Sequence, residues 1–351
     1  MKPPEPSKEQ QILFNILKGV NPTNLEGIDT SNLFDLFRRH RLFPLAPALL
    51  PMLENEERER WKNAIRSGSM RSLNFVHRLI EILDLLHMEG IEAIPLKGPA
   101  LAQALYGDVS QRHMRDLDLL VIRGDMEKAM GQLQMLGYSL KYPEKKLTAS
   151  RWRAYFRYQY DVVLVQNDKG GLLELHKRIA YPGLLGGMEH LLTEQQESIE
   201  IAGRMVKCMS RETTFIYLAV HGVHHLFFRL FWLRDIAEAL NRWELDHSRI
   251  LYIVREMGIE RMLGISLRLT GYYFGTSIPS EYRLIVDDNS IILNRLFERC
   301  KQAILDPKIL TRKNRLNVLL FSMALKPDWR HKWETISSVY HRWVIRRFVA
   351  R

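Results

Sequence analysis

Two aspartates separated by a single residue carry the clearest chemical signal in this sequence. Asp116 and Asp118 stand in an otherwise apolar run that continues to Ile122. Residues i and i+2 of a β-strand point to the same face, so the two carboxylates of such a strand lie side by side. Carboxylates beside a buried strand cost free energy unless a cation or hydrogen-bond donors satisfy them. The spacing therefore predicts a cation site on the polar face of a strand.

A third carboxylate is expected from a second strand, on which Glu174 and His176 alternate with leucines. Magnesium prefers oxygen ligands and keeps water and substrate phosphates in its coordination shell. We expect Asp116, Asp118 and Glu174 to bind two Mg²⁺ ions that assist phosphoryl transfer. Asp161, on the preceding predicted strand, is the alternative to Glu174. His176 is expected either to orient Glu174 or to take part in catalysis.

A glycine turn, Lys97-Gly98-Pro99, precedes the acidic pair and leads into a predicted helix. The N-terminus of a helix attracts anions, because its first N–H groups are unpaired. Lys97 and Gly98 are therefore candidates for binding the triphosphate of a nucleotide, and Arg112 and Arg115 add positive charge nearby. Two alternatives stay open: Lys97 forms a surface salt bridge, and the two arginines balance the charge of the acids.

The elements that position these residues are predicted to form a small mixed β-sheet. Strand patterns occupy residues 91–96, 114–122, 138–141, 160–166 and 172–179. Helical periodicity replaces them on both sides, so the fold class is α+β, a small mixed sheet flanked by N- and C-terminal helical regions. The predicted domains are an N-terminal helical region (1–90), the α+β core (91–180) and a C-terminal helical region with a basic tail (181–351).

The flanking regions give three more specific expectations. The helices of residues 1–90 have packing patterns and no chemical signature. Residues 188–199 are predicted to form one helix, as are residues 249–275. Ser210 is the expected N-cap of a further helix.

The motifs around the sheet, taken together, resemble those of a known family. They are Leu-Lys-Gly, Asp-Leu-Asp-Leu-Leu-Val, Leu-Glu-Leu-His, and a later His-Gly-x-x-His and Leu-Arg-Asp-Ile-Ala. This set is similar to the uncharacterised nucleotidyltransferase family of the DNA polymerase beta-like superfamily, over about residues 30–245. The resemblance implies that Lys97-Gly98 replaces the superfamily's Gly-Gly or Gly-Ser triphosphate turn. It also implies that Asp116, Asp118 and Glu174 are its metal-binding acids.

Three histidines share one face of the helix expected after Ser210, namely His221, His224 and His225. A zinc site would need partner cysteines or a His-Glu-x-x-His pattern, and neither is present around them, so hydrogen-bonded histidines in a buried helix are favoured. The resemblance to the nucleotidyltransferases implies a third role, in which His221, His225 and Asp235 line a cleft that faces the sheet.

The positive charge of the chain is concentrated at its C-terminal end. The net charge is +11, and residues 301–351 contain twelve Lys and Arg but only three acids. Tryptophans alternate with these basic residues, which is typical of contact with an anionic membrane or with a polymer such as RNA. The favoured interpretation, however, is an amphipathic helix that packs on the protein with its charges in solvent. The N-terminal residues lack the apolar segment of a signal peptide, and two cysteines give no disulfide framework, so a cytoplasmic location is expected, with peripheral membrane contact as a variant.

The features together predict a magnesium-dependent nucleotidyltransferase. It would move a nucleoside monophosphate from an NTP, with ATP as the expected donor, to an unidentified acceptor and release pyrophosphate. The acceptor classes are a small molecule, a glycan, a protein or RNA. One alternative function is a nucleotide-binding module without catalysis, and another is an RNA-modifying transferase that uses the basic tail.

Overall fold

The computed structural model describes residues 5–344 except 124, 145–146, 168–170, 181–183, 186–187, 307 and 309–314; the side chains of residues 123, 315–318, 330, 338 and 341–344 are also outside the description. The strands in these residues are β1 (Glu92–Pro95), β2 (Asp116–Arg123), β3 (Tyr138–Tyr142), β4 (Asp161–Gln166), β5 (Leu172–His176), β6 (Gln196–Ile201) and β7 (Arg204–Met209).

Helices account for most of the remaining chain. The α-helices are α1 (Lys8–Leu17), α2 (Thr30–His40), α3 (Asn55–Met88), α4 (Pro99–Tyr106), α5 (Met126–Met135), α6 (Ala149–Tyr158), α7 (Arg211–His224), α8 (Phe231–Arg242), α9 (His247–Met257), α10 (Glu260–Phe274), α11 (Arg283–Val286), α12 (Ile291–Leu305), α13 (Arg315–Ala324) and α14 (Trp329–Val344). Short 3₁₀ helices occupy Phe43–Met52, Val109–Gln111, Glu189–Leu192 and Ser280–Tyr282. In the described part of the chain, no helix is long and apolar enough to cross a membrane.

Five strands form a mixed sheet in the order β1-β2-β5-β4-β3. β2 and β5 are parallel neighbours at its centre, and the other pairs are antiparallel. Strand alternation gives the sheet one apolar face, which packs in a buried cluster with residues of α3 such as Leu79 and Ile82. The α+β fold class and the mixed sheet predicted from the sequence are thus confirmed.

The chain forms two compact units, and each combines segments that are distant in sequence. One unit contains residues 1–70, 110–113 and 215–326. The other contains residues 71–109, 114–214 and 327–351, and the five-stranded sheet belongs to it. The division into three successive regions stays a prediction about domains.

A β-hairpin occupies part of the stretch for which a single helix, residues 188–199, was expected. That expectation was wrong: β6 and β7 pair antiparallel, and Ala202 and Gly203 turn the chain with φ of 49° and 78°. Residues 198–201 alternate polar and apolar side chains, as strands do, and Gly203 supplies a turn conformation with positive φ.

Two expectations about the C-terminal helices had different outcomes. Residues 249–275 do not form one helix, because Gly258 ends α9 in the left-handed conformation and α10 begins two residues later. The N-cap role of Ser210 is confirmed, since its Oγ accepts the Thr213 N–H at 3.3 Å.

Candidate functional site

The register between β2 and β5 brings the acidic residues together. Asp118 pairs directly with Glu174, and Leu120 pairs with His176. The alternation of each strand directs the leucines between these residues into the core. Asp118, Glu174 and His176 therefore share the polar face of two adjacent inner strands.

Asp118, Glu174 and His176 form a group suited to binding a metal ion. One potential ligand atom from each lies within 4.8 Å of the other two. His176 Nε2 is 3.6 Å from Asp118 Oδ1 and 3.8 Å from Glu174 Oε2, distances too long for hydrogen bonds. Within the described residues, neither carboxylate oxygen of Asp118 accepts a hydrogen bond, and neither ring nitrogen of His176 has a hydrogen-bond partner. Buried polar atoms of this kind normally have partners, so their arrangement fits a divalent cation.

Lys97 is the cation closest to this group. Its Nζ lies 3.0 Å from Asp118 Oδ1 at ion-pair distance but outside hydrogen-bonding geometry, and both side chains are buried. β1 holds the lysine in place, because the Leu96 N–H donates to the Asp118 carbonyl at 2.9 Å. The alternative expected for Lys97 was a salt bridge at the surface, whereas the structure has a buried one; phosphate binding by Lys97 stays a prediction.

The glycine turn places a helix N-terminus next to this ion pair in the chain. Gly98 is the N-cap of α4, with φ 78° and ψ −137°, a region that only glycine adopts without strain. Pro99 follows as the first residue of the helix, where its missing N–H costs no hydrogen bond. The predicted turn and helix are therefore present, and the binding of triphosphate there stays a prediction.

The charges of the site perturb one another. Burial alone would raise the pKa of the Asp118 carboxyl, but Lys97 and His176 outweigh it and lower that pKa. Glu174 shows the opposite result, because burial and the negative charges of Asp118 and Asp116 raise its pKa. Burial would lower the pKa of Lys97, yet the three surrounding carboxylates raise it. Lys97 thus favours the ionised form of Asp118, whereas burial and the neighbouring acids disfavour the charged form of Glu174.

Asp116 stands apart from the group of three potential ligands. It lies two residues before Asp118 on the same face of β2, is half-buried, and pairs with Leu172. Its charge still acts on Lys97 and Glu174. The group with ligand atoms in mutual reach contains His176, which the sequence predicted beside the metal-binding acids, and does not contain Asp116. The Glu-x-His alternation on one strand was the signal for it.

One acid, Asp161, and one base, Arg115, lie near the sheet in different environments. Asp161 pairs with His176 across β4 and β5, and burial raises its pKa. Asp161 is not part of the three-residue group. The structure therefore favours Glu174 over Asp161 as the acid that lies beside Asp118 and His176. Arg115 is exposed at the residue preceding β2.

Arg112 and Asp235 belong to the other unit, where they form a buried ion pair. Arg112 Nη2 and Nε each lie 3.0 Å from Asp235 Oδ2, and the guanidinium also stacks 5.2 Å from the ring centre of Phe231. The charge that Arg112 balances is therefore that of Asp235. Nucleotide binding by Arg112 and a cleft position for Asp235 stay predictions.

The histidines after Ser210 form an aromatic cluster in that same unit. The rings of His221 and His225 are 4.8 Å apart, and both contact Trp232, at 5.5 Å and 5.2 Å. α7 ends at His224, so His225 follows the helix. In the described residues these histidines belong to no group of metal-ligating side chains within mutual reach. Their predicted cleft position remains untested.

The sheet thus carries its acids on a parallel pair of inner strands, beside a glycine turn and a helix N-terminus, within an α+β fold. The model of a family described as "Uncharacterised nucleotidyltransferase" matches residues 26–275, and the chain belongs to that family. The chain is also similar to a solved structure, an antigenic nucleotidyltransferase-like protein from Paracoccidioides brasiliensis, with 17% identity and a TM-score of 0.25 over 55% of this chain and 87% of that one. None of the curated proteins matches it.

Proposed function

We propose that the protein is a magnesium-dependent nucleotidyltransferase that transfers a nucleoside monophosphate from an NTP, with ATP as the first candidate, to an acceptor and releases pyrophosphate. The observation that carries this proposal is the cluster of Asp118, Glu174 and His176, whose ligand atoms lie within 4.8 Å of one another on the sheet. Membership in a nucleotidyltransferase family supports the same reaction class.

The residues of the cluster fit a divalent cation by their chemistry. Asp118 and Glu174 offer the oxygen atoms that magnesium prefers, and His176 adds a nitrogen ligand that also suits manganese. Asp116, on the same face of β2, is the residue that we assign to a second ion together with Asp118. Bound magnesium ions would neutralise the charge of the reacting phosphate and activate the acceptor oxygen.

Residues of the chain itself have three tasks in this proposal. Lys97 holds the Asp118 carboxylate ionised, as the lowered pKa of Asp118 indicates. Gly98 presents the first N–H groups of α4 to the triphosphate, because a helix N-terminus attracts anions. The buried leucines between the acids fix both strands, so the backbone keeps Asp118 and Glu174 beside each other.

The reaction is tested with each NTP labelled at the α-phosphate, Mg²⁺, and acceptors from four classes: small molecules, glycans, proteins and RNA. We expect pyrophosphate release and transfer of label to one acceptor class. The double variant Asp116→Asn/Asp118→Asn should lose both signals, whereas Glu200→Gln, which removes an exposed charge on β6, should keep them. Nucleotide binding without pyrophosphate release would instead indicate a non-catalytic module.

A peripheral membrane contact is a further proposal, and α14 supplies the observation for it. Trp329, Trp333, Ile336 and Tyr340 follow helical spacing along one side of α14, and the two tryptophans are 73% and 65% exposed. An exposed aromatic face within a basic segment fits the surface of an anionic membrane. Residues 345–351, which contain Arg346 and Arg347, lie outside the described residues.

Sedimentation with anionic and neutral vesicles tests the membrane contact. We expect binding to anionic vesicles only, and a clear decrease for Trp329→Ser/Trp333→Ser. Binding of RNA with a steep decrease at high salt, and no vesicle binding, would favour the RNA-modifying alternative.

A further inference from the structure

A cavity lined by arginines lies on the α3 side of the sheet. Its volume is about 530 Å³, within the range of small-molecule sites. Arg71, His77 and Arg78 of α3, together with Arg115 before β2 and Gly171 before β5, contribute to its lining. No acid lines the cavity among the residues that the structure describes. The described residues of its walls therefore carry an excess of positive charge.

Arg78 is the buried member of this set. Its side chain is only 7% exposed, and its Nε and Nη2 atoms donate to the Tyr138 hydroxyl at 3.1 Å and 2.6 Å. Its guanidinium also lies 5.2 Å from the ring centre of Phe75. Within the described chain no carboxylate forms an ion pair with Arg78. The hydroxyl and the aromatic ring that hold this guanidinium are both neutral. Its positive charge is therefore not balanced by them and can pair with an anion from outside the protein.

Two exposed arginines complete the arrangement. Arg71 lies two helical turns before Arg78 on α3, and Arg115 comes from the sheet. Among the described residues neither forms an ion pair within 4.0 Å. Three guanidinium groups on two different elements, none paired with an acid of the described chain, can coordinate a phosphate group from several directions.

Gly171 has a specific place in the cavity wall. A Cβ atom at this position would overlap the guanidinium of Arg78. The absence of a side chain therefore leaves the space that Arg78 occupies. Because φ at Gly171 is not in the left-handed region, this requirement is one of space and not of backbone conformation.

The cavity adjoins the strand ends that carry the acids. Arg115 directly precedes Asp116, so their Cα atoms are about 3.8 Å apart, and Leu172, which also lines the cavity, is the register partner of Asp116. Arg115 lies just before β2 and Asp116 is its first residue, so the cavity borders the end of the strand that carries the acids. A ligand in the cavity would thus approach the acids around the end of β2.

We infer that this cavity is the subsite for a phosphate group of a substrate of the enzyme. The inference rests on the proposed function for the identity of the substrate, but the binding of phosphate itself does not depend on turnover. The phosphate belongs either to the acceptor or to the NTP, and both sources present the same chemistry to the three arginines.

Calorimetry measures the binding of inorganic pyrophosphate to the full chain in metal-free buffer. Without metal ions, this binding reports on the arginine cavity and not on the cluster of Asp118, Glu174 and His176. We expect Arg71→Ala/Arg115→Ala and Arg78→Ala each to weaken binding by about tenfold or more, since hydrogen bonds to charged groups are worth about 1.5 kcal/mol or more. Gly171→Ala should weaken it without changing the net charge. Arg153→Ala, an exposed arginine of α6, is the matched control and should bind as the wild type does.

Arg78 is buried, so Arg78→Ala can weaken binding through a folding defect. Arg71→Ala/Arg115→Ala changes only exposed residues and avoids this problem, and circular dichroism shows whether both variants are folded. A parallel titration of ATP with Mg²⁺ separates the two sources. An equal loss of ATP affinity in Arg71→Ala/Arg115→Ala assigns the cavity to the triphosphate, and unchanged ATP affinity assigns it to a phosphate-bearing acceptor. Undetectable pyrophosphate binding, or equal affinities in the wild type and all arginine variants, would overturn the inference while leaving nucleotidyl transfer itself unaffected.

Discussion

Lys97 Nζ and Asp118 Oδ1 lie 3.0 Å apart in the buried part of the sheet, and the aspartate is only 1% exposed. The pair explains how an acid can stay ionised there: the lowered pKa of Asp118 results from Lys97 and His176 overcoming the effect of burial. Lys97 therefore stabilises the ionised Asp118 carboxylate, and this role does not depend on phosphate binding.

Replacing Lys97 by Met should reduce the free energy of unfolding by about 3 kcal/mol, because it leaves a buried charge without its partner. The double variant Lys97→Met/Asp118→Asn should recover much of this loss, since it removes both charges. Urea unfolding followed by circular dichroism measures the three proteins. Adding Mg²⁺ or Mn²⁺ should stabilise Lys97→Met more than the double variant, and equal stability of the single and double variants would contradict the ion-pair account.

His176→Ala should distinguish a ligand from an orienting residue. If His176 binds the metal, Mn²⁺ affinity should fall by at least about tenfold while Mg²⁺ affinity falls less, because magnesium prefers oxygen ligands. Calorimetry with each ion measures both affinities, and Glu200→Gln serves as the control on the same unit, away from the cluster. Equal losses for the two ions would indicate that His176 only positions Glu174.

Gly98→Ala should destabilise the protein by roughly 1–3 kcal/mol, because φ 78° and ψ −137° strain any residue with a Cβ. Gly131→Ala is the matched control. Gly131 lies exposed within α5, its φ is not positive, and a Cβ atom there would meet no other atom within 4 Å, so alanine should stabilise by about 0.5–1 kcal/mol. Thermal unfolding compares the two, and similar shifts in both variants would argue against strain at Gly98.

His40 should make the stability of its unit depend on pH. Its buried ring accepts the Leu230 N–H at Nδ1, 3.1 Å away, and burial followed by the charges of Arg39 and Arg229 lowers its pKa well below the ordinary value. As pH falls through about 6.5, the unfolded chain gains a proton that the folded chain does not bind, so stability decreases.

The variant His40→Asn isolates this contribution, since its side-chain oxygen can still accept the Leu230 N–H. Urea unfolding at several pH values between about 5 and 7 measures how the free energy of unfolding changes with pH. This change should be smaller in His40→Asn than in the wild type, by up to about 1.4 kcal/mol per pH unit. Identical slopes in the two proteins would rule out a neutral, buried His40 as the cause.

Local pattern was sufficient to predict the strands of the five-stranded sheet and the position of the acids on it, but not the partners that side chains find across the fold. Alternation around Asp118 and Glu174 indicated both strands and their polar face. The pairing of Arg112 with Asp235 joins residues 123 positions apart, and nothing in either local sequence specifies it.

The arginine cavity was missed for a related reason. Residues 1–90 showed only packing patterns, and Arg71 and Arg78 look like ordinary polar positions of an amphipathic helix until α3 lies against the sheet. The hairpin of β6 and β7 was mistaken for a helix because its alternation begins inside the stretch 188–199, and its turn glycine lies beyond it.

The pairing of β2 with β5 has a consequence for how the protein reaches its native state. Both are inner strands, bordered on each side by another strand. A slip of one residue in β2 would exchange its two faces, moving Asp118 into the apolar layer and Leu117 out of it. A chain with the wrong alignment would thus carry an uncompensated charge in its interior, so the acids of the candidate site also select against misaligned folding.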